Sequence, residues 1–213
     1  MSGIAHRTRI KFCGLTRPED VAAAVALGVD ALGFVLYPAS PRYVEPAHLA
    51  RLVAGVPPFV TTVGLFVNAP RATIAGVLSE VPLGALQFHG DESEAECSGY
   101  RIPWLRAARV QPGLDLLQFA TRYRDAQAIL LDAYVDGFGG GGESFDWSLI
   151  PKEIAPRVVL SGGLNARNVA DAIVRLRPYA VDVSSGIEAS KGIKDPERMR
   201  LFVQAVRHAD SLL

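Results

Sequence analysis

The stretch Ala128-Ile129-Leu130-Leu131-Asp132 is a short, unbroken apolar run that ends on a carboxylate. Such a run suits a strand buried on both faces, which is how the strands of a parallel sheet read. Comparable runs recur at Arg9–Phe12, Ala31–Leu36, Val60–Phe66, Ala85–Phe88, Ile102–Ala107, Arg157–Leu160 and Ala180–Val183. Each ends in small or polar residues, and a helix-like segment follows. Eight strand–helix units in 213 residues predict one α/β domain over residues 1–213, closed as a (β/α)8 TIM barrel near the lower size limit of that fold.

The helix ends carry local signals. Thr16 with Glu19 has the spacing of a capping box, with Pro18 in the first turn and Gly28 as the C-terminal stop. Ser93 with Glu96 is a second capping box, Asn165 is a candidate cap for a helix running through Leu176, and Asp195-Pro196 opens the last helix. In that helix Leu201, Val203 and Val206 are the apolar candidates for the buried side.

Lys plus Arg equals Asp plus Glu at 22 each, so no net basic field favours nucleic acid or an anionic membrane. Two cysteines, Cys13 and Cys97, are too few for a secreted disulfide scaffold and fit a reducing cytoplasm. Residues 1–9 lack an apolar leader core, and no apolar stretch has the length of a membrane helix. The expected partner is therefore a small molecule.

In barrels of this kind the reacting groups sit at the C-terminal strand ends. The seventh run ends Ser161-Gly162-Gly163 and the eighth ends Ser184-Ser185-Gly186. Glycines let backbone N–H groups approach an anion, so the two loops together predict a phosphate site, although either alone reads equally well as an ordinary turn. Cys13 ends the first run, with Lys11 two residues back on the same strand face as a source of positive charge. On position alone, a lone thiol is more often a buried structural cysteine. Asp132 is costly after an apolar run unless paired or functional, and desolvation favours the protonated form that a general acid requires. The segment from Tyr134 to Glu143 is a Gly-rich candidate lid; its Gly137, Gly139 and Gly142 match a dinucleotide spacing by chance, because no helix opens at Gly142.

These strand ends, read in order, resemble one family, the phosphoribosylanthranilate isomerases of tryptophan biosynthesis. The resemblance is carried by Lys11-Phe12-Cys13-Gly14-Leu15-Thr16, Ala31-Leu32-Gly33-Phe34-Val35, Ser40-Pro41-Arg42-Tyr43-Val44, Val63-Gly64-Leu65-Phe66-Val67-Asn68 and Gln87-Phe88-His89-Gly90-Asp91-Glu92. It continues through Leu131-Asp132-Ala133, Phe145-Asp146-Trp147, Ser161-Gly162-Gly163-Leu164, Val181-Asp182-Val183-Ser184-Ser185-Gly186-Ile187-Glu188 and Gly192-Ile193-Lys194-Asp195-Pro196.

The resemblance implies Cys13 as general base, Asp132 as general acid and Arg42 as receptor for the anthranilate carboxylate. It places His89 and Asp182 in the substrate pocket, and Gly162, Gly163, Ser184, Ser185 and Gly186 at the phosphate. The chain departs from the family's common residues at Phe88, Arg106, Gly141 and Ser161, the last adding a hydroxyl beside the phosphate glycines. The implied reaction is an Amadori rearrangement without metal or cofactor, in a monomer or homodimer, with phosphate and carboxylate holding the sugar from two ends. The histidine-pathway aminoaldose isomerase is a related alternative, but it resembles this pattern with Asp where Cys13 stands. Indole-glycerol-phosphate synthase relies on a Lys acid instead. A non-catalytic phosphosugar-binding barrel has no need of both Cys13 and Asp132.

Overall fold

The computed structural model describes residues 7–111, 113–133 and 145–213. Strands β1 (Arg9–Cys13), β2 (Ala31–Val35), β3 (Thr61–Phe66), β4 (Ala85–Phe88), β5 (Trp104–Val110), β6 (Ala128–Ala133), β7 (Val158–Leu160) and β8 (Ala180–Val183) pair in chain order. They form a closed barrel, and β8 returns in parallel register to β1 with Lys11 opposite Asp182. All eight expected strands are present. The largest shift is at β5, which starts at Trp104, just beyond Pro103, and runs on past the expected end to Val110. The charged Arg109 obscured that extension. Arg106 is buried because its guanidinium donates to the carbonyls of Phe88, Ala107 and Gly90 at 2.9–3.0 Å.

Around the strands lie helices α1 (Pro18–Ala26), α2 (Pro46–Val53), α3 (Arg71–Glu80), α4 (Glu94–Cys97), α5 (Leu116–Arg122), α6 (Val169–Leu176) and α7 (Pro196–Asp210). Between β6 and β7 the described residues form two 3-10 turns, Trp147–Leu149 and Ala155–Arg157, in place of an α-helix. After β8 comes a 3-10 turn, Ser185–Ile187, and then a small antiparallel hairpin of β9 (Glu188–Ser190) and β10 (Ile193–Lys194).

Alternation along the strands separates two apolar regions. Phe12, Phe34, Phe66 and Phe88 face the helices and are almost wholly buried. Each such ring contributes on the order of 2 kcal/mol by burial. Phe88 meets Trp104 edge-on with ring centroids 6.0 Å apart. Inside the barrel, Ala107, Ala128, Leu130, Val159 and Ala180 form one small cluster. Above it, Cys13 packs with Val35, Leu65 and Val67. The barrel interior is thus a plug of aliphatic side chains whose upper layer ends in ionisable groups.

Two helix-end expectations and one helix-face expectation are corrected. Thr16 does not cap α1: its hydroxyl donates to the Gly192 carbonyl, and Arg17 occupies the N-cap position without a side-chain cap bond. Asn165 does not cap α6, which begins four residues on at Val169; instead Asn165 and Asn168 both donate side-chain N–H bonds to the Gly163 carbonyl. Leu201 is exposed, whereas Met199, Phe202, Val203, Val206 and Ala209 form the buried face of α7. The Ser93–Glu96 capping box and the Asp195 cap are formed as expected.

Candidate active site

The inward face of each strand supplies the site. In register, Lys11 and Cys13 on β1 stand beside Asp182 on β8 and Gly33 on β2. A side chain at residue 33 would bring its Cβ within 2.8 Å of Cys13 Sγ and 3.0 Å of Lys11 Nζ. Glycine there makes room for both.

Lys11 Nζ donates to Asp182 Oδ1 at 2.7 Å, and both side chains are buried. Burial opposes the Lys11 charge, but Asp182 and Cys13 outweigh it and raise the ammonium's pKa. The Ser161 hydroxyl donates to Asp182 Oδ2 at 3.3 Å, so this donor serves the carboxylate. Asp182 is therefore buried with both oxygens engaged. Burial pushes the Cys13 thiol above its ordinary value; Lys11 and Lys194 pull it down without prevailing, and Asp182 adds to the rise. Lys11 does supply the expected positive charge, but it shares that charge with Asp182.

On the other side of the mouth, Asp132, next to last in β6, faces inward, with Oδ1 accepting from the Ala133 N–H at 3.0 Å. His89 Nε2 lies 3.3 Å from Asp132 Oδ2, and its Nδ1 is 3.0 Å from the amide nitrogen of the fully buried Gln87. Neither His89 Nε2 nor Gln87 Oε1 has a hydrogen-bond partner of its own, so this pair retains unused capacity beside the carboxyl group.

The loops after β7 and β8 come together at the barrel mouth. Gly162 and Gly163 have φ of +79° and +61°, the left-handed region that favours glycine. A Cβ on Gly162 would lie 2.5 Å from the Ala133 nitrogen and 3.2 Å from Asp132 Oδ1, so this loop lies against the end of β6. A Cβ on Gly186 would overlap the Leu164 carbonyl, which joins the two loops. Ser184, Ser185 and Gly186 are part-exposed at the mouth.

Arg42 is buried and forks onto Glu188, with Nε to Oε1 and Nη2 to Oε2 each at 2.8 Å. Its side chain passes close by Gly14, where a Cβ would lie 2.5 Å from Arg42 Cδ and 3.0 Å from Ser184 Oγ. Arg42 and the loop after β8 are thus neighbours along this rim. Glu188, Lys194 and Gln87 also belong to this arrangement, although the sequence alone assigns them no role. Their signal was a charged or amide group in a segment that must be buried, where it needs partners. The lid expectation, residues 134–143, lies outside the described residues. Among the described residues no cluster of His, Cys, Asp or Glu could hold a metal ion, and no helix is long and apolar enough to cross a membrane.

A closed parallel barrel with ionisable side chains gathered at the C-terminal mouth defines a TIM-barrel protein of the enzyme class, with the polar groups held on strand ends. The model of the N-(5'-phosphoribosyl)anthranilate isomerase family matches residues 10–205, and the chain belongs to that family. An N-(5'-phosphoribosyl)anthranilate isomerase from Ralstonia nicotianae is 59% identical over 221 residues, covering 98% of this chain and 96% of its own. The phosphoribosyl anthranilate isomerase crystal structure from Thermotoga maritima superposes with a TM-score of 0.87 at 43% identity, covering 94% of this chain and 99% of its own. A further isomerase structure, solved in complex with reduced 1-(o-carboxyphenylamino)-1-deoxyribulose 5-phosphate, gives a TM-score of 0.83 at 42% identity, with coverage of 94% and 99%.

Proposed function

We propose that Cys13 and Asp132 are the general base and general acid with which this chain converts N-(5'-phosphoribosyl)anthranilate to 1-(2-carboxyphenylamino)-1-deoxyribulose 5-phosphate. As a member of its family the chain is an isomerase of tryptophan biosynthesis. The observation that carries the residue assignment is the placement of these two side chains on inward positions of β1 and β6, around a mouth bordered by the two glycine loops.

Asp132 protonates the ring oxygen of the furanose and opens it to a Schiff base. Cys13, as thiolate, then removes the proton from C2 of the sugar. The enolamine that results tautomerises, C1 gaining a proton as the C2 hydroxyl becomes a ketone. The atoms of substrate and product are the same, so no external oxidant or reductant enters. The phosphate is held by backbone N–H groups of Gly162, Gly163 and the Ser184–Gly186 segment. Arg42 receives the anthranilate carboxylate, and His89 and Asp182 line the space between. With Nε and one Nη2 hydrogen committed to Glu188, the end edge of the guanidinium, formed by Nη1 and Nη2, still offers parallel donors to a carboxylate. The two free cysteines fit a cytoplasmic location.

The test is to follow the fluorescence of the anthranilate-derived substrate with purified protein. Steady decay to product supports the reading, and an initial quench with no further change refutes it. A parallel assay on the histidine-pathway aminoaldose decides whether that substrate is also accepted.

A further inference from the structure

We propose that Glu188 is a positioning residue for this reaction: it fixes which edge of the Arg42 guanidinium faces the substrate, and it offsets cations that crowd the Cys13 thiol. The proposal rests on the assignment of Arg42 as carboxylate receptor and Cys13 as base. Glu188 sits where the Ser185–Ile187 turn passes into β9, and its side chain is buried. Its two oxygens take the Nε/Nη2 edge of Arg42 at 2.8 Å each. A guanidinium held on one edge cannot rotate about its last bond without breaking both contacts, so its remaining donors have one direction only.

Oxygen Oε1 also accepts from Lys194 Nζ at 2.9 Å and from the Gly192 N–H at 3.3 Å. The same ammonium donates to the Cys13 carbonyl at 2.6 Å and the Ser184 carbonyl at 3.1 Å. Glu188 is therefore linked through Lys194 to the backbone of the proposed base and to the start of the loop after β8. Burial and attraction act against each other at this carboxylate: burial alone would raise its pKa, but Arg42 and Lys194 lower it.

The charges around Cys13 can be named element by element. Lys11 belongs to β1, Asp182 to β8, Arg42 to the loop after β2 and Lys194 to β10, while Glu188 of β9 pairs with the last two of these cations. The neighbouring Val35, Leu65 and Val67 are apolar, and Tyr37 packs at their edge. Three cations thus face two carboxylates, and a thiolate at Cys13 brings the group to neutrality. Removing the Glu188 charge leaves Arg42 and Lys194 less compensated, which favours the thiolate.

The experiment uses Glu188→Gln, which keeps the size of the side chain and removes its charge. The pH dependence of Cys13 alkylation by iodoacetamide, read on its own peptide by mass spectrometry, needs no substrate. Its midpoint is expected to fall by about half a pH unit or more. With substrate, KM is expected to rise about fivefold or more while kcat changes less, because a guanidinium free to turn binds less well. An unchanged midpoint with unchanged KM in a folded variant overturns the proposal. Lys194→Met removes a cation and leaves the Arg42 fork intact, so its alkylation midpoint should rise; this stands as the decisive measurement if Glu188→Gln does not fold, and a midpoint that stays or falls overturns the charge argument. Full turnover in Cys13→Ala, by contrast, refutes the assignment of the base and leaves the alkylation result standing.

Discussion

His89 Nε2 stands 3.3 Å from Asp132 Oδ2, held there by the contact of its Nδ1 with the Gln87 amide 3.0 Å away. With the amide nitrogen turned toward Nδ1, the neutral imidazole carries its proton on Nε2, facing Asp132. Turning the amide over exchanges donor and acceptor, and Nε2 can then accept a proton-bearing hydrogen bond from Asp132.

Asp132→Asn cannot deliver that proton. Its kcat should fall by roughly 10²- to 10⁴-fold, the usual contribution of a positioned acid or base. Thermal unfolding should be little changed, since the amide can still accept from the Ala133 N–H. Steady-state kinetics beside a melting curve checks both statements, and near-wild-type turnover would falsify the acid role.

The pH profile follows from the burial of Cys13. A base works when deprotonated, and burial holds this thiol above its ordinary value. The rate constant kcat/KM should therefore still be climbing above neutral pH, up to the raised thiol value. Measurement from about pH 6 to about pH 10 tests it, and a plateau already reached at the acid end of that range contradicts it. Cys97, pushed up to about 12 by burial, should not react with alkylating agents until the chain unfolds.

Gly33→Ala inserts a methyl group where Cys13 Sγ and Lys11 Nζ already sit, at 2.8 and 3.0 Å. One of the two must move. Activity should drop by about tenfold or more, with destabilisation of about 1–3 kcal/mol, the usual cost of overpacking. Denaturant unfolding and the fluorescence assay together read this, and an alanine variant equal to wild type in both shows that the interior has slack.

Arg42→Ala should raise KM more than it lowers kcat, since the carboxylate it holds does not change through the reaction and is bound alike in substrate and transition state. It should also destabilise the fold by up to about 3 kcal/mol, because Glu188 keeps Lys194 but loses its forked partner. Arg42→Lys is expected to recover little, as an ammonium cannot reproduce two parallel donors. Unchanged KM in the alanine variant, with the protein folded, argues against the carboxylate contact.

Much of the architecture was legible because its signals are local. The apolar runs located every strand, and the ends of those runs located Cys13, Asp132 and the glycine loops. Where local signals misled, a tertiary partner had taken the group. The Thr16 hydroxyl goes to the Gly192 carbonyl across 176 positions, so no cap forms. The side chain of Asn165 serves Gly163 and its own turn, delaying the helix. Arg109, charged and one residue from the end of β5, hid the last residues of that strand, because its partner Asp91 is distant in sequence.

The sequence by itself determined the barrel, the order of its strands and which functional groups stand at their ends, since periodicity and apolar continuity are properties of neighbouring residues. Only the tertiary structure decided how the charges at those ends are shared. Lys11 meets Asp182 across 171 positions and Arg42 meets Glu188 across 146. Such pairs exist only once β8 closes onto β1, and a buried charge takes whichever opposite charge that closure brings within reach.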